Sequence, residues 1–104
     1  MAEKLIKDGK VAVLYSPEHG AGWYSWNNDK RLLFHPEIVQ KVLDDKRSEI
    51  TNKFILDLIG IDIYTGGARD LKVKWLPEGT LFEINEYDGS ESISLKENNG
   101  WIVA

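Results

Sequence analysis

The chain has no cysteine among its 104 residues. That absence removes disulfides, thiolate nucleophiles and cysteine-ligated zinc in one step, and it suits a reducing compartment. Histidine is nearly as scarce: His19 and His35 are the only two. Neither stands in a spaced histidine–carboxylate motif, so no metal and no other cofactor is expected. No segment approaches the roughly 20 apolar residues that cross a bilayer, and the opening Met1 to Lys10 has no apolar stretch of signal-peptide length. The expectation is a soluble cytoplasmic protein with no membrane association. Basic clusters are missing too. The formal charge is −4 and the lysines and arginines are scattered, which disfavours general nucleic-acid binding because an acidic surface repels phosphate backbones. A partner with a basic surface is attracted instead, mainly through faster encounter.

What is present suits one domain with its own core. Hydrophobic residues make up 42% of the chain and charged residues 29%, ordinary proportions for a globular protein of this length. Lys10 to Tyr15 is apolar at almost every position, the pattern of a central strand covered on both faces. Ser16-Pro17 ends it, since proline cannot continue the ladder. From Pro36 the period changes: Ile38, Val39, Val42 and Leu43 fall at helical spacing, with Pro36 in the first turn. A second helix begins near Ser48, with Ile50, Phe54, Ile55, Leu58 and Ile59 as its stripe and Gly60 as its stop.

The remainder reads as strands. Ile61 to Tyr64 is short; Leu71, Val73 and Trp75 alternate with Lys72 and Lys74. Phe82 and Ile84 alternate with Glu83 and Asn85, and Ile93 and Leu95 with Ser94 and Lys96. Asp88-Gly89 is a hairpin signal. Asn98 to Gly100 turns the chain into a last segment, Trp101 to Val103. The predicted class is α+β: an antiparallel β-meander sheet covered by two short helices, in a single two-layer domain over residues 1–104. The acidic stretch from Glu83 to Glu91 is expected on the solvated side of its hairpin.

Two glycine-bearing segments, Tyr15 to Trp23 and Tyr64 to Asp70, each follow a run that reads as a strand. Glycine lets main-chain N–H groups approach a ligand closely. The candidate ligand- or partner-binding surface is therefore Tyr15, Ser16, His19, Gly20, Gly22, Trp23 and Trp26 from the first segment and its flank. Thr65, Gly66, Gly67, Arg69 and Asp70 come from the second, with Glu86 and Asp88 alongside. Arg69 is the expected partner of an anionic group, and Trp23 and Trp26 are the expected apolar anchors. Trp75 and Trp101 are assigned to the core. Arg69 and Asp70 have a second reading, as struts against the acidic hairpin around Glu86 and Asp88.

No catalytic residue is assigned. Ser16, Glu18 and His19 are adjacent in the chain, whereas triad members converge from separate elements, and the Gly-x-Ser-x-Gly context is absent. Gly20-Ala21-Gly22 belongs to no complete phosphate-binding motif, and it serves equally as a tight reversal that lets Trp23 and Trp26 pack.

The segments Val11-Ala-Val-Leu-Tyr-Ser-Pro17, Gly20-Ala-Gly-Trp23, Tyr64-Thr-Gly-Gly-Ala-Arg-Asp70, Trp75-Leu-Pro-Glu-Gly79 and Asn85-Glu-Tyr-Asp-Gly-Ser-Glu-Ser92 resemble those of a widespread set of small proteins encoded by bacteriophages and prophages. The resemblance implies a setting, a bacterial cell carrying or infected by a phage, and brings no activity to transfer. It makes a non-enzymatic binding protein the leading expectation, acting on host defence by binding a host protein or by sequestering a small anionic nucleotide. Self-association is a further expectation, because a small domain makes a deeper pocket between subunits. The rival expectation is a small hydrolase or transferase acting on a nucleotide or sugar-phosphate, with His19 or Glu86 as general base.

Overall fold

The computed structural model describes residues 4–18, 22–27, 29–63, 65–96 and 102–104. Strands β1 (Ile6–Lys7) and β2 (Lys10–Tyr15) form a hairpin closed by Asp8-Gly9. Both turn residues have positive φ, 53° and 75°, as a two-residue type I′ turn demands. Strand β3 (Lys72–Pro77) lies antiparallel on the other side of β2, from Lys10 opposite Pro77 to Tyr15 opposite Lys72. A second antiparallel sheet contains β4 (Leu81–Tyr87), β5 (Ser90–Lys96) and β6 (Ile102–Val103) in the order β5-β4-β6. Its hairpin turns at Asp88-Gly89, with φ of 52° and 84°, where the Asp-Gly signal predicts it.

The molecule is thus an α+β domain with antiparallel sheets, as expected, but its strands are shared between two sheets. The division falls at the turn after Pro77. The Glu78 amide donates to the Gly9 carbonyl at 2.9 Å and the Gly79 amide to the Ala104 carbonyl at 2.8 Å. These amides tie the turn to the first hairpin and to the end of the chain, so the connection closes no ladder between β3 and β4.

Strand β2 is the inner strand, and its residues alternate between two cores. Ala12 and Leu14 face a cluster with Leu32, Ile38, Val39, Val42 and Ile55. These come from α2 (Arg31–Phe34), α3 (Pro36–Leu43) and α4 (Asn52–Ile59). Val11 and Val13 face a cluster with Leu33, Phe34, Leu76, Phe82 and Ala104, where the Phe34 and Phe82 rings meet edge to face at 6.1 Å. Helices cover one face of the first sheet and the second sheet covers the other. That arrangement is why Val11 to Leu14 are buried without a polar interruption.

Both predicted helices form, but the second starts at Asn52, later than its expected start near Ser48, because Arg47–Glu49 makes a separate 3-10 turn and leaves Ile50 outside the helix. Pro36 opens α3, with His35 Nδ1 accepting from the Glu37 amide at 3.2 Å. Thr51 Oγ1 accepts from the Phe54 amide at 3.1 Å and opens α4. Gly60 closes α4 in the left-handed region at φ 79°. Two further helices, α1 (Tyr24–Asn27) and α2, occupy the aromatic stretch before Pro36. A bidentate ion pair steadies the turn between them, with Arg31 gripping Asp29 and donating to the Ile59 carbonyl at the end of α4.

The strand predicted over Ile61 to Tyr64 is not formed in the described part, 61–63. Asn52 Nδ2 at the start of α4 takes the Ile63 carbonyl at 2.5 Å, so this segment is held by a side chain and not by a ladder. Tyr64, Trp101 and the turn at 98–100 lie outside the described residues.

Candidate functional site

The site is organised around the end of β2. Ser16 is fully buried, against its expected place on a binding rim. Its Oγ donates to the Gly67 carbonyl at 2.9 Å, a bond that joins the two glycine segments across 51 positions of the chain. Ser90 Oγ donates to the Pro17 carbonyl, and the Glu91 amide to the Ser16 carbonyl at 2.8 Å. The start of β5 is therefore stitched to the same corner.

Glu91 fills the space between these strands, and its position corrects the reading of the acidic stretch as wholly solvated. The residue is 1% exposed. Its Oε1 accepts from the Ser16 amide at 2.8 Å. Its Oε2 accepts from the Trp23 amide at 2.9 Å, the Ser25 amide at 2.8 Å and Ser25 Oγ at 2.7 Å. Among the described residues no lysine or arginine pairs with it. A carboxylate has acceptor capacity for about four donors, and four bond to this one, one at Oε1 and three sharing Oε2. Two of these donors are main-chain amides at the start of α1, which helical bonding leaves unpaired. Strand parity carries the signal for this residue: Glu91, Ile93 and Leu95 share one face, and that face carries the apolar side chains.

The first glycine segment is consequently more interior than expected. Trp23 is fully buried, and its Nε1 donates to the Leu32 carbonyl at 2.7 Å. It is a core residue, not an anchor on a recognition surface. Gly22 is buried beside it, and a Cβ there would lie 2.5 Å from Ser25 Oγ and 2.6 Å from Trp26 Cδ1. Trp26, in contrast, is 45% exposed. Tyr15 is half-buried at the end of β2. His19 and Gly20 lie outside the described residues.

The second segment reaches the surface. Thr65 Oγ1 donates to Asn52 Oδ1 at 2.7 Å, Gly66 is exposed, and Gly67 is buried against Ser16. Ala68–Asp70 forms a single 3-10 turn. Asp70 is half-buried and Arg69 exposed. The strut to the acidic hairpin is not made. Glu86 Oε2 instead accepts from the Gly89 amide at 2.7 Å and, more weakly, from Trp26 Nε1 at 3.4 Å, while Asp88 sits exposed in the turn. Glu86 is thus bound into its own hairpin, a poor posture for a general base.

An open groove of about 210 Å³ runs along this corner, lined by Glu18, Arg47, Arg69, Asp70, Leu71 and Lys72. It brings Glu18 of the first segment together with Arg69 and Asp70 of the second. Arg47, which the sequence reading missed, is fixed there by donating to the Leu71 carbonyl at 2.8 Å and by an ion pair with Asp45. Arg69 and Lys72 form no ion pair among the described residues. With Arg47 held by Asp45, the groove presents two unpaired cations, Arg69 and Lys72, beside two carboxylates, Glu18 and Asp70.

Comparison with protein-family models, with curated proteins and with solved structures gives no match. Among the described residues, no group of three or more histidine or acidic side chains is placed to hold a metal ion, and no helix is long and apolar enough to cross a membrane.

Proposed function

We propose that the chain is a small non-enzymatic binding protein of the phage type, working in the cytoplasm of a bacterial host, where it holds a host protein and so blocks a defence. In this reading the groove beside Arg69 is the recognition surface. The observation that carries it is Arg69 itself: an exposed guanidinium that no carboxylate among the described residues holds, on a turn whose base is pinned by Ser16. Such a group presents a planar fork of donors to a carboxylate of a partner. Lys72 adds a second cation, and Glu18 and Asp70 are acceptors for a partner's lysine or arginine.

Size favours a protein over a nucleotide at this corner. Small-ligand sites commonly enclose about 300–1,000 Å³, whereas this groove is open and holds about 210 Å³. A protein surface can lie across a groove too small to enclose a nucleotide. Trp26 contributes exposed aromatic area of the kind that anchors interfaces.

The test uses the wild-type protein and Arg69→Glu as paired baits in bacterial lysate, followed by affinity measurements with each purified candidate. Arg69 is exposed, so the variant should keep its stability within about 0.5 kcal/mol. The expected result is a host protein retained only by the wild type, with affinity at least about tenfold lower for the variant and falling with salt. Identical retention by both baits would overturn the reading. Recovery of chemically altered nucleotide after incubation with the protein would move the conclusion to a hydrolase or transferase.

A further inference from the structure

The β1–β2 hairpin sets Lys7 directly opposite Lys10. Like charges in that relation repel one another, and neither ammonium is in an ion pair among the described residues. The next position along the same face is aromatic. Lys10 pairs with Pro77 and Ala12 with Trp75, so the two-residue side-chain period puts Lys7, Lys10 and Trp75 on one side of the sheet. The Trp75 indole is partly buried, packed against the helix-side core, which fixes it in place.

Lys7, Asp8, Lys10 and Trp75 line an open groove of about 310 Å³, at the lower edge of the range for small-ligand sites. The hairpin that carries it is held from behind, since the Gly9 carbonyl accepts from the Glu78 amide at 2.9 Å. Two unpaired ammoniums beside a fixed indole, with one carboxylate at the tip, are complementary to an anion that carries a flat ring and hydroxyl groups.

We propose that this groove binds a nucleoside phosphate. The phosphate lies between the Lys7 and Lys10 ammoniums and relieves their repulsion. The base stacks on the Trp75 indole, an attraction open to any base because every base has a π-face. The Asp8 carboxylate accepts from the ribose hydroxyls. It also disfavours a bare phosphate, so the ring contact is needed for useful affinity. This site is separate from the Arg69 groove: the two lie at opposite ends of the β2–β3 ladder, roughly 17 Å apart along the strands.

The experiment is a titration with adenosine diphosphate, followed through the indole N–H resonances of the 15N-labelled protein. The Trp75 resonance is assigned by its loss in Trp75→Phe or, should that variant unfold, by through-bond connection to its own backbone. The expected result is a saturable shift of that resonance with a midpoint below about 1 mM. Lys7→Gln and Lys10→Gln should each weaken binding about tenfold, and Arg69→Glu should leave it unchanged. Inorganic phosphate should not move the indole. No saturable shift up to about 10 mM, an unchanged midpoint in both lysine variants, or an equal response to inorganic phosphate would each overturn the proposal. None of these results bears on the protein-binding role of Arg69.

Discussion

Replacing Glu91 by glutamine tests the organisation of the site with the change of a single atom. The side chain keeps its shape, but one acceptor oxygen becomes an NH₂ donor. In the better orientation the remaining oxygen takes the place of Oε2 and keeps the Trp23 amide, the Ser25 amide and Ser25 Oγ. The NH₂ then points at the Ser16 amide, which in the wild type donates to Oε1 at 2.8 Å. Two donors face each other in a place water does not reach. A buried unpaired donor costs about 1–3 kcal/mol. The three retained bonds pass from a charged to a neutral acceptor and lose about half their strength. Together these effects reach about 3 kcal/mol, out of a total stability of about 5–15 kcal/mol for a domain of ordinary size.

For a domain near this length, each kcal/mol moves the thermal midpoint by about 4–8 °C, so Glu91→Gln should melt more than about 10 °C below the wild type. Urea unfolding followed by tryptophan fluorescence measures the same difference through the transition midpoint. Glu83→Gln is the control, because Glu83 is exposed on β4 of the same hairpin and its substitution should stay within about 0.5 kcal/mol. If both variants fall within that margin of the wild type, the four-donor carboxylate contributes nothing and the account of the corner is wrong.

Three other outcomes are expected. Gly22→Ala should lose about 1–3 kcal/mol in urea unfolding, because its Cβ would meet Ser25 Oγ at 2.5 Å and the Trp26 ring at 2.6 Å. Trp23→Phe should lose at least about 1–3 kcal/mol, since it strands the Leu32 carbonyl that Nε1 now satisfies at 2.7 Å; an unchanged midpoint would show that this carbonyl finds another donor. Acid should destabilise the fold through two carboxylates. The hydrogen bond from Arg31 holds Asp29 below its ordinary 3.8, and the hydrogen bond from Lys41 holds Glu49 below its ordinary 4.5. Below that range the unfolded chain binds more protons than the folded one, so the contribution of these groups, complete above it, is lost as pH falls through their folded values. Asp29→Asn should flatten this acid limb in a series of urea midpoints against pH, and a limb of unchanged slope would show that Asp29 does not contribute to it.

Much of the fold was legible because its signals are local. Pro36 and Gly60 mark helix ends through their own backbone chemistry, and Asp88-Gly89 sets a turn without help from the rest of the chain, whereas the start of α4 at Thr51 is not the one near Ser48 that the apolar stripe suggests. The apolar run of β2 announced cover on both faces, though not that one cover is a second sheet. Asp8-Gly9 carries the same turn signal as Asp88-Gly89, but the strand before it, β1, is only two residues long, too short to show an alternating pattern. The short helices α1 and α2 were invisible to periodicity, since four residues are little more than one turn. Errors in the site have a different origin. The neighbours of Trp23 and Ser16 in the chain suggest exposure, while Trp23 is buried in the cluster with Leu32, Ile38 and Leu71 and Ser16 bonds to Gly67 and Glu91, partners that the local sequence does not show. The charge of Glu91 points to solvent, whereas its parity with Ile93 points inward, and parity prevails.

The chemistry of Glu91 also explains why a carboxylate stands where an apolar side chain would normally fill a core. Strand β2 ends at Tyr15 and α1 begins at Tyr24, and the inward-pointing amides of Ser16, Trp23 and Ser25 bond to Glu91 and, among the described residues, to no ladder or helix partner. An apolar residue at position 91 would leave each of them unpaired in the interior. An amide side chain brings one acceptor and one unwanted donor. Only a carboxylate accepts from several directions with no donor of its own. The same set of bonds fixes the place from which α1 departs, and with it the exposed Trp26, while Ser16 fixes the base of the turn that carries Arg69. The candidate recognition groups are therefore oriented before any partner arrives, which lowers the ordering cost of binding. If the proposed host partner binds there, Glu91→Gln should weaken its capture even at temperatures where the variant remains folded, and Arg69→Glu should weaken capture without lowering the melting point. Parallel loss of stability and unchanged affinity in Glu91→Gln would separate the buried carboxylate from recognition and confine its role to folding.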